Sequence, residues 1–288
     1  MSRLGGLIAT TVLAAALCVG TAEGGVIATE GFESYAVGAQ LEANDGTGLA
    51  GGTGWTSAWG VNDLYRSNLT VAAQSLSYSG GGITIDGGSR AVRYGGLNLP
   101  NDNFVLATRT VAAQTGDLYF SFLFRPENTS GDTKDFFQVG FSPISENPRV
   151  SVGHGETSGR MDFFARVGTS SGNTAFVGGT PPLSQTYLFV AKVSKVGSSG
   201  NYDRVDLWVN PTSLSETPST VHYYNSGINS GTATLVNLVL RAAFPESSDI
   251  YYVDEFVVGD TYRSVVPEPA TLALLGAGLG LAAMRRKR

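Results

Sequence analysis

From Val105 onward, apolar side chains recur at every second position rather than every third or fourth. In Asp117–Arg125, Leu118, Phe120 and Phe122 fall on one face, and Tyr119, Ser121 and Leu123 on the other. That is the alternation of a strand with one face in a core. Similar short runs follow at Phe136–Phe141, Arg149–Val152, Met161–Val167, Tyr187–Val196, Arg204–Val209, Ala233–Ala243 and Ile250–Val258. Gly, Ser, Asn and Pro separate them, with Pro182, Asn210-Pro211, Pro218 and Pro245 marking connections. Regularly spaced β-branched and aromatic runs with turn residues between them predict an all-β sandwich. No stretch between the two ends carries the pattern of an amphipathic helix, and no internal repeat at constant spacing suggests a propeller or solenoid. The segment Thr29–Gly60 reads differently, as Gly-rich text with scattered aromatics at Phe32, Tyr35, Trp55 and Trp59. Gly51, Gly52 and Gly54 permit tight turns there, and the two tryptophans are placed to cap one end of a sandwich.

The two ends break this pattern. Arg3 precedes an apolar stretch, Leu4–Val19, followed by small residues at Gly20, Thr21 and Ala22. That order predicts a secretory signal peptide cleaved after Ala22. Cys18, the only cysteine, leaves with it, and Leu17 before it is too large for a lipoprotein signal. The mature protein then has no disulfide, thiol nucleophile or cysteine metal site. At the other end stand Pro267-Glu268-Pro269, an uncharged run from Leu272 to Met284, and the cations Arg285, Arg286, Lys287 and Arg288. The prolines hold the tripeptide out of helix. As a helix the apolar run spans roughly 20 Å at about 1.5 Å per residue. The hydrocarbon core is about 30 Å thick, and snorkelling cations or local thinning would cover the deficit. The basic end stays on the cytoplasmic side by the positive-inside rule.

This order of tripeptide, apolar run and basic end resembles the PEP-CTERM sorting signal of exported bacterial proteins. The resemblance implies recognition at Pro267, Glu268 and Pro269 by a membrane transpeptidase of the exosortase type. Removal of the tail and delivery to the cell surface or extracellular matrix would follow. Three further stretches, TEGFESYAVGAQL, GGTGWTSAW and the closing YYVDEFVVGD (Tyr251–Asp260), are similar to laminin-G or concanavalin-like bodies. They imply a concanavalin-type jelly roll. The expected organisation is thus a signal peptide at 1–22, a sandwich at 23–263 and a sorting signal with its transmembrane helix at 264–288.

Charge narrows the function. Without Arg3 and the four tail cations the body keeps 14 basic residues, and without Glu268 it keeps 23 acidic ones, a net of about −9. No basic patch suited to phosphates stands out, which argues against a nucleic-acid partner. Catalysis finds little support. Of the two histidines, His154 reads as part of a Gly-flanked turn, Gly153-His154-Gly155, and His222 has no companion. Gly168–Gly172 spells a nucleophile-elbow pattern and Gly46–Gly51 a dinucleotide-loop pattern, but neither sits in the α/β context that gives it meaning. Sandwich glycosidases need two cooperating carboxylates. The nearest pair, Asp254-Glu255, occupies adjacent strand positions that point to opposite faces. Asp206 and Trp208 share a face, with Asp203 out of phase.

The expectation is therefore a non-enzymatic surface or matrix protein that binds extracellular polysaccharide. A jelly-roll hydrolase and a purely structural matrix component remain as alternatives. An aromatic platform for sugar rings would use Trp55, Trp59 and Tyr65, with packing as the competing role for such large rings. The resemblance to laminin-G and lectin-like sandwiches adds calcium on oxygen ligands. Candidates by type are Asp63, Asp102, Asp132, Glu246, Asp249 and Asp254, although no calcium-loop spacing is present.

Overall fold

The computed structural model describes residues 25–95, 104–128, 136–157, 160–243 and 248–266. The strands run in the order β1 (Val26–Glu30), β2 (Gly60–Val61), β3 (Leu69–Ala72), β4 (Ser77–Gly80), β5 (Ile83–Asp86) and β6 (Ala91–Gly95). Then come β7 (Phe104–Gln114), β8 (Leu118–Asn128), β9 (Phe136–Ser142), β10 (Val150–Thr157), β11 (Arg160–Val167) and β12 (Thr174–Phe176). The chain continues through β13 (Tyr187–Ser194), β14 (Arg204–Val209), β15 (Val221–Tyr224), β16 (Leu235–Ala243), β17 (Ile250–Gly259) and the single-turn helix α1 (Tyr262–Val265). Two antiparallel sheets face each other, as the concanavalin-like jelly-roll expectation required. One has the order β15-β14-β13-β8-β17-β6-β3, with β1 added alongside β17, and the other β12-β11-β10-β9-β16-β7-β2. No helix among the described residues is long and apolar enough to cross a membrane. Leu272–Met284 and the basic end lie outside the described residues.

The alternation read in Asp117–Arg125 is what the sheets use. Leu118, Phe120, Phe122 and Phe124 enter the main core between the sheets, while Tyr119 and Leu123 join a second cluster on the outer side. The main core is rich in rings: Phe124 lies 5.4 Å from Phe137 and Phe189, and Phe163 meets Phe189 edge-on at 4.9 Å. Each such pair adds about 0.5–1.5 kcal/mol to the burial of its area. The second cluster forms where a third layer covers the eight-stranded sheet. Its roof is the β4–β5 hairpin, which brings Leu76, Ile83 and Ile85, together with Tyr262, Val265 and Val266 around α1. The hairpin turns at Gly81 and Gly82, whose φ of 57° and 85° suit a two-residue turn matched to strand twist. A capping box holds α1: Thr261 Oγ1 accepts from Ser264 N at 3.2 Å, and Ser264 Oγ accepts from Thr261 N at 3.3 Å.

The structure corrects two of these expectations. The sequence pattern marked turns at Thr29–Gly60 and named no strand before Val105, yet residues 26–95 hold β1 to β6. Val265 and Val266, just past the expected end of the sandwich at 263, are fully buried, and Ser121 Oγ donates to Val265 O at 2.6 Å. His154 is no turn residue. It stands within β10, paired with Phe137 and Phe163.

The His154 ring is fully buried among Phe124, Phe163 and Tyr251, and neither ring nitrogen has a partner. Burial pushes it down to about 3. The unfolded chain takes up this proton near pH 6.5 and the folded one does not, so the native state loses stability as pH falls through that window. A His154→Leu variant should gain on the wild type by about 1.4 kcal/mol per pH unit over that range. Urea unfolding of both proteins at several pH values measures the difference, and a pH-independent gap would contradict it.

Candidate functional site

The sequence-predicted aromatic platform resolves into a packing unit. Trp59 is 2% exposed and sits in the main core, so it presents no face to a sugar. Trp55 is partly buried, and its indole nitrogen donates to Thr29 O at 2.8 Å. Both rings carry the guanidinium of Arg109, at 4.8 Å from the Trp55 centroid and 5.6 Å from that of Trp59. The Tyr65 side chain lies outside the described ones, as does that of Asp63. Arg109 forms a buried ion pair with Glu30 and donates to the carbonyls of Gly51 and Ser57. Tyr35 donates to Glu30 Oε2 at 2.8 Å and accepts from Gly51 N. Burial and the neighbouring Glu30 push the Tyr35 phenol up to about 12. This network knots residues 29–60 onto β7.

Of the predicted calcium ligands, Asp249 and Asp254 have described side chains. Asp102, Asp132 and Glu246 lie outside the described residues. Asp249 and Asp254 are five residues apart along extended chain, roughly 17 Å, and serve different ends of β17. Among the described residues no group of three His, Asp or Glu side chains gathers as a metal cluster. Asp254 is nevertheless unusual. The register of β17 against β8 slips between Asp254 and Val257, and Glu255 takes φ of 51°, so a bulge replaces the regular alternation. The charge of Glu255 is felt at Asp254. Asp254 is fully buried, its Oδ1 accepts from Glu255 N at 2.8 Å, and its Oδ2 has no partner. Burial, then the charge of Glu255, pushes it up to about 9. Burial and the charge of Glu33 push Glu255 up to about 7. Glycines surround the pair. A Cβ on Gly87 would come within 2.6 Å of Asp254 Oδ2, and one on Gly31 within 2.5 Å of Glu255 Oε1. Glu33 beside them is already taken by Ser89 N at 2.6 Å and Arg90 N at 2.7 Å.

A cleft of about 520 Å³ opens at the β2–β7 edge of the seven-stranded sheet. Phe104, Leu106 and Thr108 form its floor from the outward positions of β7, with Asn62 and Arg66 on one wall and Glu146 and Asn147 on the other. Asn62 is fixed by giving Nδ2 to Phe104 O at 3.0 Å and accepting from Leu106 N at 2.9 Å. Asn147 Oδ1 is buried without a partner. The two carboxylates of the cleft are both engaged, Glu42 with Arg66 at 2.7 Å and Glu146 with Arg149 at 2.6 Å. From Phe104 a row of rings and guanidiniums crosses the outer side of the sheet. Arg241 lies over Phe104 and Phe136, Arg166 over Phe136 and Phe164, and Phe164 meets Phe176. Sequence reasoning missed this face. Its signal was the outward half of the same alternation, Phe104, Phe136, Phe164 and Arg166, opposite the residues chosen for the core.

Replacing Arg109 by Met should destabilise the fold by about 3–5 kcal/mol, because Glu30 would be left charged and buried. Denaturant unfolding measures it, and a loss under 1 kcal/mol would contradict the buried-pair account.

No curated relative matches the sequence. Among solved structures, the alginate lyase Aly36B, as a mutant in complex with alginate tetrasaccharide, is 13% identical with a TM-score of 0.47, covering 81% of this chain and 95% of its own. Domain 4 of AbnA, an extracellular arabinanase from Geobacillus stearothermophilus in complex with arabinotriose, is 11% identical with a TM-score of 0.46, covering 85% and 98%. The exoplasmic/lumenal domain of VIP36 is 10% identical with a TM-score of 0.38, covering 70% and 83%. These likenesses are remote, and none bears on what this chain binds. Residues 265–288 match the PEP-CTERM protein-sorting motif, so the chain carries the sorting signal of an exported, membrane-processed surface protein.

Proposed function

We propose that this chain is a non-enzymatic surface or matrix protein, processed by an exosortase at Pro267-Glu268-Pro269, whose sandwich binds a glycan in the cleft over Phe104. The observation that carries the reading is the make-up of that cleft. Phe104 lines the same cleft as the amides of Asn62 and Asn147, a pairing of ring and polar groups that suits a sugar's apolar ring face and hydroxyl edge. Hydrolysis would need one carboxylate free to donate a proton and another free to attack or to activate water. Both cleft glutamates are instead tied to arginines. The test is equilibrium binding of the whole chain, held in detergent, to a panel of polysaccharides in calcium and in chelator. Saturable binding in both is expected, weakened about tenfold by Phe104→Ala with an unchanged melting temperature. Silence on every polymer would leave a structural role, and new reducing ends would make the protein a hydrolase.

Calcium has a second, separate place in this reading. Asp254 Oδ2 is an unpartnered buried oxygen beside Glu255, in a cradle kept open by Gly87 and Gly31. That donor chemistry fits a hard cation. Bound there, the cation would supply the charge that lets two neighbouring carboxylates ionise under the β4–β5 hairpin, on the sheet opposite the cleft. It would therefore support the fold rather than the ligand. Without it, the raised Asp254 costs stability as pH climbs from about 4 toward 9, since the unfolded chain releases that proton first. Millimolar calcium should raise the melting temperature at pH 7.5 by about 2–4 °C for each kcal/mol of binding linkage. It should do so far less at pH 5, and not at all in Asp254→Asn. An equal rise in that variant would remove Asp254 as a ligand.

A further inference from the structure

Arg166 and Arg241 form the part of the outer face whose charge the fold leaves unanswered. Ion pairs elsewhere occupy Arg66, Arg109, Arg125, Arg149, Lys192 and Arg204. Arg166 donates Nε to Thr174 Oγ1 at 2.8 Å and, among the described residues, stacks on the rings of Phe136 and Phe164. Arg241 Nε is buried with no partner. The guanidinium carbons stand 5.4 Å and 4.6 Å from the Phe136 centroid, so they are no more than 10.0 Å apart. Among the described side chains on these strands, the outward-facing carboxylate is Asp162, whose oxygens accept from Phe163 N and Gly178 N. Two like charges at this spacing, largely withdrawn from water in a chain of net charge −5, are costly unless something anionic completes them. Burial pushes both down to about 10, and the Arg166 charge adds to the effect at Arg241.

We propose that the glycan taken by this face is an acidic polysaccharide whose carboxylates pair with Arg241 and Arg166. This rests on the glycan-binding reading above and names its ligand class. Three features select a polymer over a small anion. Arg241 stacks on Phe104, which floors the open cleft, so the charged row and the cleft are one continuous surface. Phe104, Phe136, Phe176 and Arg241 are each partly exposed, offering ring faces alternating with charge. Two cations within 10.0 Å of each other on one surface offer more than one contact to a chain of repeated charges. A guanidinium fork favours the planar carboxylate, which it can meet through two parallel bonds.

The experiment compares binding of the whole chain, in detergent, to polygalacturonate, its methyl ester, dextran sulfate and dextran. The expected result is saturable binding to polygalacturonate that weakens as salt rises. The ester and dextran should be at least about tenfold weaker, and dextran sulfate weaker than polygalacturonate. Arg241→Gln should lose about tenfold for polygalacturonate, with Arg241→Lys intermediate because it keeps the charge but not the fork. Thermal melts of both variants check that they remain folded. Equal affinity for polygalacturonate and its ester, unmoved by Arg241→Gln, would overturn the acidic class while leaving glycan binding in place. Preference for dextran sulfate would overturn the carboxylate assignment. Absence of binding to all four polymers would overturn this inference, and silence on the wider panel as well would take the glycan-binding reading with it.

Discussion

The last two strands of the chain are interior strands of the two sheets, and everything else depends on their arrival. β16 lies between β9 and β7, and β17 lies between β8 and β6 while also holding β1. Until both are in place, β7 and β9 lack half of their backbone partners and the ring-lined interior has an open seam. Unpaired buried amides are expensive, so such a sandwich gains little from partial assembly. Its stabilising pairings are long-range, which makes closure a late and slow event.

The second constraint is polar. Glu30 and Arg109 are both almost wholly buried, and their charges are made tolerable by Tyr35, Phe32 N and the carbonyls of Gly51 and Ser57. A buried pair of this kind adds little net stability, but its geometry admits few alternatives. It fixes how a glycine-rich stretch with little regular structure wraps the edge of the sandwich. Close approach completes the knot: a Cβ on Gly54 would come within 1.9 Å of Ile27 O, so only glycine lets that turn lie on β1.

The main strands were legible in the sequence because each has one face in the ring core and the other turned away. Periodicity of two survives that asymmetry, and Arg204–Val209 and Phe136–Phe141 were placed to within a residue of their observed ends. Residues 29–95 were not legible, since β1, β3 and the β4–β5 hairpin are short and their partners lie far along the chain. His154 misled because its flanking glycines look like a turn. In β10 Gly153 is demanded by close neighbours instead, since a Cβ there would run into Phe137 O and the Phe164 ring. The bulge after Asp254 was not legible, because alternation assumes an unbroken ladder. The candidate site was not legible: attention fell on Trp55, Trp59 and Tyr65, none of which lines the cleft, and Trp59 was drawn inward by the core. The outward-facing phenylalanines and arginines drew no notice, because large rings were assigned to packing by default.

The C-terminal turn matters beyond the fold. Val265 and Val266 begin the sorting segment, yet both are pressed into the second cluster beneath α1, and Pro267 comes directly after them. Val265 and Val266 thus belong both to a buried apolar cluster and to the segment that matches the sorting motif. A chain trimmed after Val266 would keep every described apolar contact of that cluster.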